Sequence, residues 1–173
     1  MEFKILITGY FSSGKTQFIK TLSQSSISSE VKITNHHESK EKEMTTVAMD
    51  YGKIIIDGKK IHLFGTPGQE RFDFMVDILA NNHDGAVVLI DSSNPESIKN
   101  ANKFIKFLKE KGTPFVIACN KQDKSVALKP KEIADILNLP YNLTKPLCAL
   151  NKQSSYKILK DLLLDISMKK KVA

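Results

Sequence analysis

Short apolar runs alternate with amphipathic stretches along most of the chain, and this alternation is the first guide to its fold. Short, mainly apolar runs predict β-strands. They extend from Phe3 to Thr8, Val47 to Ile56, Lys60 to Phe64, Ala86 to Ile90, Phe115 to Ala118 and Pro146 to Ala149. Apolar residues spaced three and four apart predict helices. These run from Thr16 to Leu22, Phe72 to Ala80, Glu96 to Lys111, Lys131 to Leu137 and Ser154 to Met168. Such alternation favours an α/β fold whose strands pair in parallel through right-handed crossovers.

Turn and breaker residues refine this picture. Asp57 and Gly58 separate two strand-like runs and are typical of a two-residue β-hairpin turn, so those two strands should be antiparallel. Pro95 and Gly112 mark the start and the end of one long helix. The segment from Ser23 to Glu43 is polar and charged with few large apolar residues, which predicts a mobile loop. A long loop inside a compact domain is usually functional.

Length, charge and cysteine content set limits on the class of protein. The 173 residues suffice for one core, so we expect a single domain spanning residues 1–173. The formal net charge is +7, but scattered lysines carry nearly all of it, which indicates solvated faces rather than a nucleic-acid surface. Three lysines at 169–171 suggest membrane contact that is at most peripheral. No apolar run approaches the roughly 20 residues of a spanning helix, so we expect a cytoplasmic protein. Cys119 and Cys148 should both be reduced.

The residues from Gly9 to Thr16 read G-Y-F-S-S-G-K-T and match G-x-x-x-x-G-K-[ST], the pattern of a phosphate-binding loop. The pattern lies between a predicted strand and a predicted helix, which is the context that phosphate binding requires. Glycines let backbone N–H groups converge on phosphate, and a helix N-terminus favours an anion. Lys15 adds a positive charge, and Thr16 adds a hydroxyl for magnesium. The sequence therefore predicts a nucleotide-phosphate site, with an ordinary glycine turn as the competing interpretation.

A second motif, N-K-Q-D from Asn120 to Asp123, follows a predicted strand at its carboxyl end, where open α/β sheets bind ligands. Alone this motif is a weak signal, but the phosphate loop upstream strengthens it. The Asp123 carboxylate can accept hydrogen bonds from N1 and N2 of guanine, whereas adenine offers no such pair of donors. The prediction is therefore GTP or GDP rather than ATP. Residues 148–150, C-A-L, follow the last predicted strand, where the amide of Ala149 would meet the guanine O6.

Taken together, these motifs resemble the small GTPases of the Ras, Rab and Arf superfamily over nearly the whole chain. The stretch from Thr46 to Tyr51, T-V-A-M-D-Y, is similar to switch I of Rab-type proteins, and Pro67 to Phe72, P-G-Q-E-R-F, to their switch II. The P-G-Q variant resembles prokaryotic small GTPases, including gliding-motility and polarity switches. The resemblance implies a P-loop NTPase fold of the α/β class, with a six-stranded mixed, mostly parallel sheet and about five helices. It also implies two switch loops that reorganise with the γ-phosphate.

The resemblance implies site residues position by position. Thr46 would give its hydroxyl to magnesium and its amide to the γ-phosphate, with Thr45 as the alternative. Gly68 would bond the γ-phosphate through its backbone, and Gln69 would orient the attacking water, unless it is only a solvated turn residue. The expected catalytic residues are Gln69 and Lys15, and the expected metal ligands are Thr16 and Thr46. The expected nucleotide contacts are Phe11, Ser12, Ser13, Gly14, Lys15, Thr16, Gln17, Thr46, Gly68, Asn120, Lys121, Asp123, Cys148, Ala149 and Leu150.

Three positions depart from the family pattern. Gly65 stands where an aspartate normally supports magnesium through water, so Asp50 or Glu43 must replace it, or the metal site is weaker. Phe11 puts bulk where an activating partner's arginine would enter, so we expect an activator to avoid that route. Leu150 replaces a lysine that packs over the base, which should lower affinity without changing specificity.

Three functions compete on these observations. The resemblance favours a switch that hydrolyses GTP slowly and reports its state to effector and regulatory proteins through Thr46 and residues 67–74. The alternative is a constitutive GTP-binding scaffold, in which Gly65 weakens the metal site until hydrolysis is negligible.

Arg71, the only arginine, is expected to form a salt bridge in switch II rather than to act as an arginine finger. An ATP-using kinase is disfavoured by N-K-Q-D, and the four histidines lack metal-ligand spacing.

Overall fold

The computed structural model describes residues 1–23, 26–34, 44–67 and 82–172, with side chains in residues 1–23, 49–67 and 82–169. Within these ranges the strands form one mixed sheet in the order β2-β3-β4-β1-β5-β6-β7. The strands are β1 (Glu2–Gly9), β2 (Ser26–Thr34), β3 (Met44–Ile56), β4 (Lys59–Gly65), β5 (Gly85–Asp91), β6 (Phe115–Asn120) and β7 (Thr144–Pro146). The helices are α1 (Lys15–Leu22), α2 (Pro95–Glu110), α3 (Pro130–Leu137) and α4 (Lys152–Val172), and a 3₁₀ helix covers Tyr141–Leu143.

The central strand of the sheet is β1, which pairs in parallel with β4 on one side and with β5 on the other. Strands β5, β6 and β7 continue the parallel arrangement, while β3 is antiparallel to both β2 and β4. The predicted α/β fold with a mixed, mostly parallel sheet is confirmed. Strands β2 to β4 lie on one side of β1, and strands β5 to β7 lie on the other. The carboxyl end of β1 is therefore a topological switch point, where such sheets bind ligands.

Strand β2 corrects the prediction for the segment from Ser23 to Glu43. The sequence predicts a loop, but Ser26–Thr34 forms a strand that pairs along its whole length with residues 44–52 of β3. A strand at the edge of a sheet is open to solvent along one side, so it tolerates polar residues and its composition resembles that of a loop. Six strands match the expected sheet, and β2 adds a seventh at its edge.

The last strand is displaced from its predicted position. The sequence predicts a strand from Pro146 to Ala149, but β7 comprises Thr144–Pro146. The apolar run continues past the strand because Leu147 and Ala149 are buried in the apolar core that α1 and α4 cover, not because the strand extends through them. Beyond β7 the amide of Ala149 bonds the side chain of Asn120 rather than a backbone carbonyl of β6.

Four of the predicted helices are confirmed close to their predicted bounds, and the fifth, from Phe72 to Ala80, lies outside the described residues. The hairpin prediction is also confirmed, because Asp57 and Gly58 both have positive φ, 48° and 74°, as a tight turn between antiparallel strands requires. No helix in the described part of the chain is both long and apolar enough to cross a membrane.

Two apolar cores lie on opposite faces of the sheet, which is why the central strands read as continuous apolar runs. Phe3, Ile5 and Ile7 of β1 belong to the core that α1 and α4 cover. Leu6, which alternates with them, belongs to the core beneath α2 and α3. The helices thus fix both faces of β1, so the loop that follows it starts from a rigid support.

Candidate functional site

The phosphate loop, residues 9–16, joins the carboxyl end of β1 to α1. Its backbone has positive φ at Gly9 (145°), Ser12 (58°) and Gly14 (104°). A Cβ at Gly9 would lie 2.3 Å from the carbonyl oxygen of Leu89 on β5, so only glycine fits where the loop leaves the sheet. Left-handed residues among right-handed ones turn successive N–H groups toward a common centre, which is the geometry of an anion-binding loop.

The start of α1 offers backbone donors to a ligand. Among the described residues, no acceptor takes the amide hydrogens of Gly14, Lys15 or Thr16. The first turn of a helix also carries the partial positive charge of the helix dipole. A cavity of about 440 Å³ opens at this place. Its lining comprises residues 11–17, Lys20, Asp50 and residues 65–67. Its size and these donors suit an anionic group such as a phosphate.

Lys15 places its ammonium group inside the phosphate loop. The side chain is 8% exposed, and its Nζ donates to the carbonyl oxygens of Gly9 and Tyr10, both at 2.8 Å. Burial lowers the pKa of Lys15 from 10.5 to about 8, although the nearby Asp50 carboxylate opposes part of this shift. An anion bound in the cavity would stabilise the charged form of Lys15, which burial disfavours.

Thr16 and Asp50 meet at the edge of the cavity. The hydroxyl of Thr16 donates a hydrogen bond to Oδ2 of Asp50, which lies on β3. Asp50 is the register partner of Gly65 at the end of β4, so the two positions face each other on neighbouring strands. The aspartate that the family pattern expects at Gly65 is absent, and the structure places the carboxylate of Asp50 beside that position.

Asn120 connects the base loop, residues 120–123, to the phosphate loop. The side chain is 3% exposed, and its Nδ2 donates to the carbonyl oxygen of Ser13 at 2.9 Å. Its Oδ1 accepts the amide of Ala149, also at 2.9 Å. A Cβ at Gly14 would lie 2.2 Å from the same Nδ2, so the glycine is needed for this close approach. One buried side chain therefore holds three loops together.

Lys121 makes a second connection between the base loop and the phosphate loop. It has a φ of 64°, and its Nζ donates to the carbonyl oxygen of Ser12 at 3.0 Å and to Oδ2 of Asp91 at 2.5 Å. Burial alone would raise the pKa of Asp91, but hydrogen bonds from Lys121 and Ser93 outweigh it, so this pKa lies below its ordinary value. The sequence prediction missed Asp91. Its signal was available, because Asp91 directly follows the apolar run from Ala86 to Ile90, at the carboxyl end of a predicted strand.

The C-A-L residues that follow β7 are held by hydrogen bonds to α1 and α4. Thr21 on α1 donates its hydroxyl to the carbonyl oxygen of Ala149 at 2.6 Å, and the amide of Cys148 donates to Ser154 Oγ at 3.0 Å. The amide of Ala149 donates to Oδ1 of Asn120 in this structure, and its contact with guanine O6 stays a prediction. Leu150 is 71% exposed at the end of the segment.

The two cysteines and Asp123 differ in accessibility. Both cysteines are free thiols, and burial raises the pKa of Cys119 to about 12, so this thiol is unreactive. Cys148 is partly exposed. Asp123 is exposed, and within the described part of the chain its carboxylate accepts no hydrogen bond. The carboxylate is therefore free to accept hydrogen bonds from a ligand.

The structure does not bring every predicted residue to the cavity. Thr46 lies in β3, where its backbone pairs with Lys32 of β2. At about 3.3 Å per residue, Thr46 is about 13 Å along the strand from Asp50, the residue that contacts Thr16. Gly68 and Gln69, like Glu43 and Arg71, lie outside the described residues. The backbone of Thr46 is therefore held away from Thr16 while β2 and β3 are paired, and its contact with a metal stays a prediction.

The side chains of two predicted nucleotide contacts point to different roles. Phe11 is 59% exposed at the rim of the cavity, so it leaves the loop accessible and presents an apolar surface there. Gln17 directs its Nε2 to the hydroxyl of Thr21 at 2.9 Å, so any contact with a nucleotide would come from its backbone.

One family model and several sequence relatives match this chain. A sequence model of the family described as conserved hypothetical ATP binding protein matches residues 27–167. An uncharacterised protein of Methanocaldococcus jannaschii is 36% identical over 122 residues, which cover 70% of this chain and 71% of that protein. ADP-ribosylation factor-like protein 3 of Saccharomyces cerevisiae is 25% identical over 142 residues, covering 79% and 68% respectively.

Solved structures match the fold over almost the whole chain. The Arl6 small GTPase of Trypanosoma brucei, solved with a bound nucleotide analogue, has a TM-score of 0.72 at 18% identity and covers 97% of this chain and 99% of its own. The G domain of the FeoB iron transporter of T. maritima has a TM-score of 0.68 at 16% identity, with 96% and 99% covered. These matches confirm the predicted P-loop small GTPase fold.

Proposed function

The chain belongs to the family described as conserved hypothetical ATP binding proteins, and on that premise we propose that it binds GTP and GDP and works as a slow GTP-hydrolysing switch. The observation that carries the proposal is the double contact of Asn120. This side chain bonds the phosphate loop at Ser13 and the C-A-L segment at Ala149, so phosphate donors and a base-reading loop form one rigid unit. A nucleotide has phosphates for the first loop and a base for the second, joined in one molecule.

Guanine suits the base loop better than adenine, although the family description names ATP. Guanine presents two donors, N1–H and the N2 amine, to an exposed carboxylate such as that of Asp123. Adenine presents an acceptor at N1, which would face the negative charge without a hydrogen between them. A polar group left unpaired in this way is the strongest basis for rejecting a wrong ligand, by about 10⁴-fold in favourable cases.

The base assignment is tested by replacing guanine with xanthine in the ligand and Asp123 with asparagine in the protein. Xanthine carries a carbonyl where guanine carries the N2 amine, and an asparagine amide offers one acceptor and one donor to match it. Asp123→Asn is therefore expected to lose roughly 100-fold in affinity for GDP and to gain xanthosine diphosphate as a ligand. Asp165→Asn, an exposed aspartate on α4, serves as the control and should bind GDP as the wild type does. Unchanged GDP binding by Asp123→Asn would refute the assignment.

Magnesium fits the phosphate end of the cavity, because the hydroxyl of Thr16 is an oxygen donor of the kind that this ion prefers, and the carboxylate of Asp50 lies beside it. Bound there, the ion would offset the charge of the nucleotide phosphates. Thr46 would join only if residues 44–48 left their pairing with β2, since the strand holds its backbone at a distance. Exchange of these residues between the sheet and the γ-phosphate would make a two-state element, as a switch requires.

Hydrolysis would depend on positioning rather than on a strong base. In this proposal Lys15 holds the phosphates and Gln69 orients the attacking water, while Arg71 forms a salt bridge. A single-turnover assay separates the switch from a constitutive GTP-binding scaffold. Phosphate release by the wild type that Gln69→Leu abolishes supports the switch, and GTP binding without release supports the scaffold.

Partners would read the nucleotide state at the segments that change with it. We place effector and regulatory contacts around Thr46 and residues 67–74, in one domain that works in the cytoplasm with at most peripheral membrane contact. The P-G-Q sequence at 67–69 further relates this switch to prokaryotic gliding-motility and polarity GTPases. Pull-down with the protein locked in GTP-analogue and GDP states would identify partners that distinguish the two.

A further inference from the structure

We propose that Asp50 supplies the carboxylate that supports magnesium at the phosphate loop, in place of the aspartate missing at Gly65. The proposal rests on the proposed nucleotide binding, because the ion would lie between Thr16 and the phosphates. It assigns Asp50 as a residue that acts on the metal through Thr16 and through metal-bound water, not as one that touches the reacting atoms.

The contact between Thr16 and Asp50 orients the threonine hydroxyl for a cation. A hydroxyl has one hydrogen and two lone pairs. Because Thr16 donates its hydrogen to Asp50, both lone pairs are left for another partner. Both side chains line the 440 Å³ cavity beside the phosphate loop, so a cation in the cavity can reach the Thr16 oxygen. Metal ligands held by a carboxylate in this way are fixed in orientation and become better donors.

The geometry of the neighbouring strands explains why Gly65 carries no side chain. Gly65 and Asp50 are register partners on β4 and β3. A Cβ at Gly65 would lie 3.2 Å from the Cβ of Asp50 and 2.9 Å from Cδ1 of Ile19. A side chain at Gly65 would therefore compete with Asp50 for the same space. Asp50 on β3 therefore provides the carboxylate from the position that faces Gly65 on β4. The glycine leaves room for the Asp50 side chain.

The charge of Asp50 also indicates a bound cation. A carboxylate at the edge of a phosphate cavity repels the ligand that the loop amides and Lys15 attract. This repulsion turns into attraction when a divalent cation lies between the carboxylate and the phosphates. In the described part of the chain, no group of three or more histidine, cysteine, aspartate or glutamate side chains is placed to hold a metal by itself. The ion should therefore bind only together with the nucleotide.

The test measures magnesium dependence separately from nucleotide binding. The affinity for fluorescently labelled GDP is titrated against free Mg²⁺ for the wild type, Asp50→Asn and the control Asp57→Asn, which lies at the other end of the β3–β4 hairpin. For Asp50→Asn we expect the Mg²⁺ midpoint to rise about 10- to 100-fold, while Asp57→Asn matches the wild type. In EDTA the Asp50→Asn variant should bind GDP at least as tightly as the wild type, because a repulsive charge has gone.

A merely structural role for Asp50 predicts a different result. If Asp50→Asn weakens GDP binding equally in EDTA and in Mg²⁺, or leaves the midpoint unchanged, the proposal is wrong. Gly65→Ala provides a second variant, since its added Cβ presses on Asp50, and it should shift the midpoint in the same direction. Electron paramagnetic resonance of Mn²⁺ should show binding by the wild type only when GDP is present. Failure of the proposed function itself would be distinct, because the wild type would then bind no GDP in either buffer.

Discussion

The ammonium of Lys121 lies 2.5 Å from the carboxylate of Asp91, and the same nitrogen donates to the carbonyl oxygen of Ser12 at 3.0 Å. This one side chain joins the end of β5, the base loop and the phosphate loop. Because Asp91 is nearly buried, the ion pair lies in a region of low polarity, where losing one partner costs more than it would at the surface.

Replacing Asp91 by asparagine keeps the shape of the side chain and removes its charge. We expect Asp91→Asn to lower the free energy of unfolding by about 1–3 kcal/mol, because Lys121 then loses its charged partner. In nucleotide-free protein the melting temperature should fall by roughly 3–10 °C in calorimetry. The control is Asp161→Asn, which removes the looser pair of Lys145 and Asp161 at 4.0 Å and should cost less than about 1 kcal/mol. Equal losses in the two variants would contradict the importance of the Asp91 pair.

The same pair has a defined pH dependence. Hydrogen bonds from Lys121 and Ser93 hold the pKa of Asp91 below its ordinary value. The stabilisation is therefore present above the ordinary aspartate pKa of about 3.9 and disappears as the pH falls through the lower folded-state pKa. In urea unfolding, the gap between wild type and Asp91→Asn should be constant from about pH 7 to pH 5 and should close below about pH 4.

Gly14 tests the coupling between the phosphate loop and the base loop. Gly14→Ala places a methyl group 2.2 Å from Nδ2 of Asn120, so the bond from Asn120 to Ser13 should break. We expect GDP affinity to fall by roughly 100-fold or more, together with about 1–3 kcal/mol of stability. Gly58→Ala is the matched control, because Gly58 also has positive φ but meets no atom within 4 Å. It should lose about 1 kcal/mol and keep its GDP affinity. Similar GDP affinities in both variants would disprove the coupling.

Lys15 should make the stability of nucleotide-free protein rise with pH. Burial lowers the pKa of Lys15 to about 8, against 10.5 for an ordinary lysine. Between these values the unfolded chain holds a proton that the folded protein does not, so raising the pH favours the folded state, by about 3 kcal/mol over the window. Lys15→Met should lack this rise in urea unfolding between pH 7.5 and 10.5. Lys20→Met, an exposed position on the same helix, should retain it, and identical profiles for all three proteins would contradict the prediction.

The pairing of β2 with β3 should respond to the γ-phosphate. If Thr46 moves to the metal, residues 44–48 must give up hydrogen bonds to β2 when GTP binds. Hydrogen exchange should therefore be faster in residues 30–34 of β2, which pair with residues 44–48, with a non-hydrolysable GTP analogue than with GDP. Residues 52–56, which pair with β4, should be protected equally in both states. Unchanged protection of β2 would favour the constitutive scaffold over the switch.

The sequence predicts those parts of the site that depend on local patterns. The glycine and lysine of the phosphate loop and the N-K-Q-D tetrapeptide each lie directly after an apolar strand, so their positions follow from the strand order. The sequence named Asp50 and Glu43 as alternatives for the missing carboxylate but could not choose between them, because the position of Asp50 opposite Gly65 depends on the register of β3 against β4. Register depends on contacts across the sheet that no single segment encodes.

Errors in the predicted fold have a similar origin. Strand β2 reads as a loop because its segment is largely polar, and the sequence does not show that it pairs with β3 at the edge of the sheet. The position of β7 was misjudged because Leu147 and Ala149 are apolar residues of the core that lie beyond the end of the strand. The hydrogen bond from the Ala149 amide to Asn120 was missed because the sequence does not show how close these two residues lie. Each error concerns a contact between segments that are distant in the chain.

Calorimetric titration of nucleotide-free wild-type protein with GDP and with ADP, both in magnesium, is the most direct measurement of the central claim. The account predicts tight binding of GDP and binding of ADP that is weaker by about 10⁴-fold, because only guanine pairs with Asp123. Equal affinity for the two nucleotides, or no heat of binding with GDP, would contradict it.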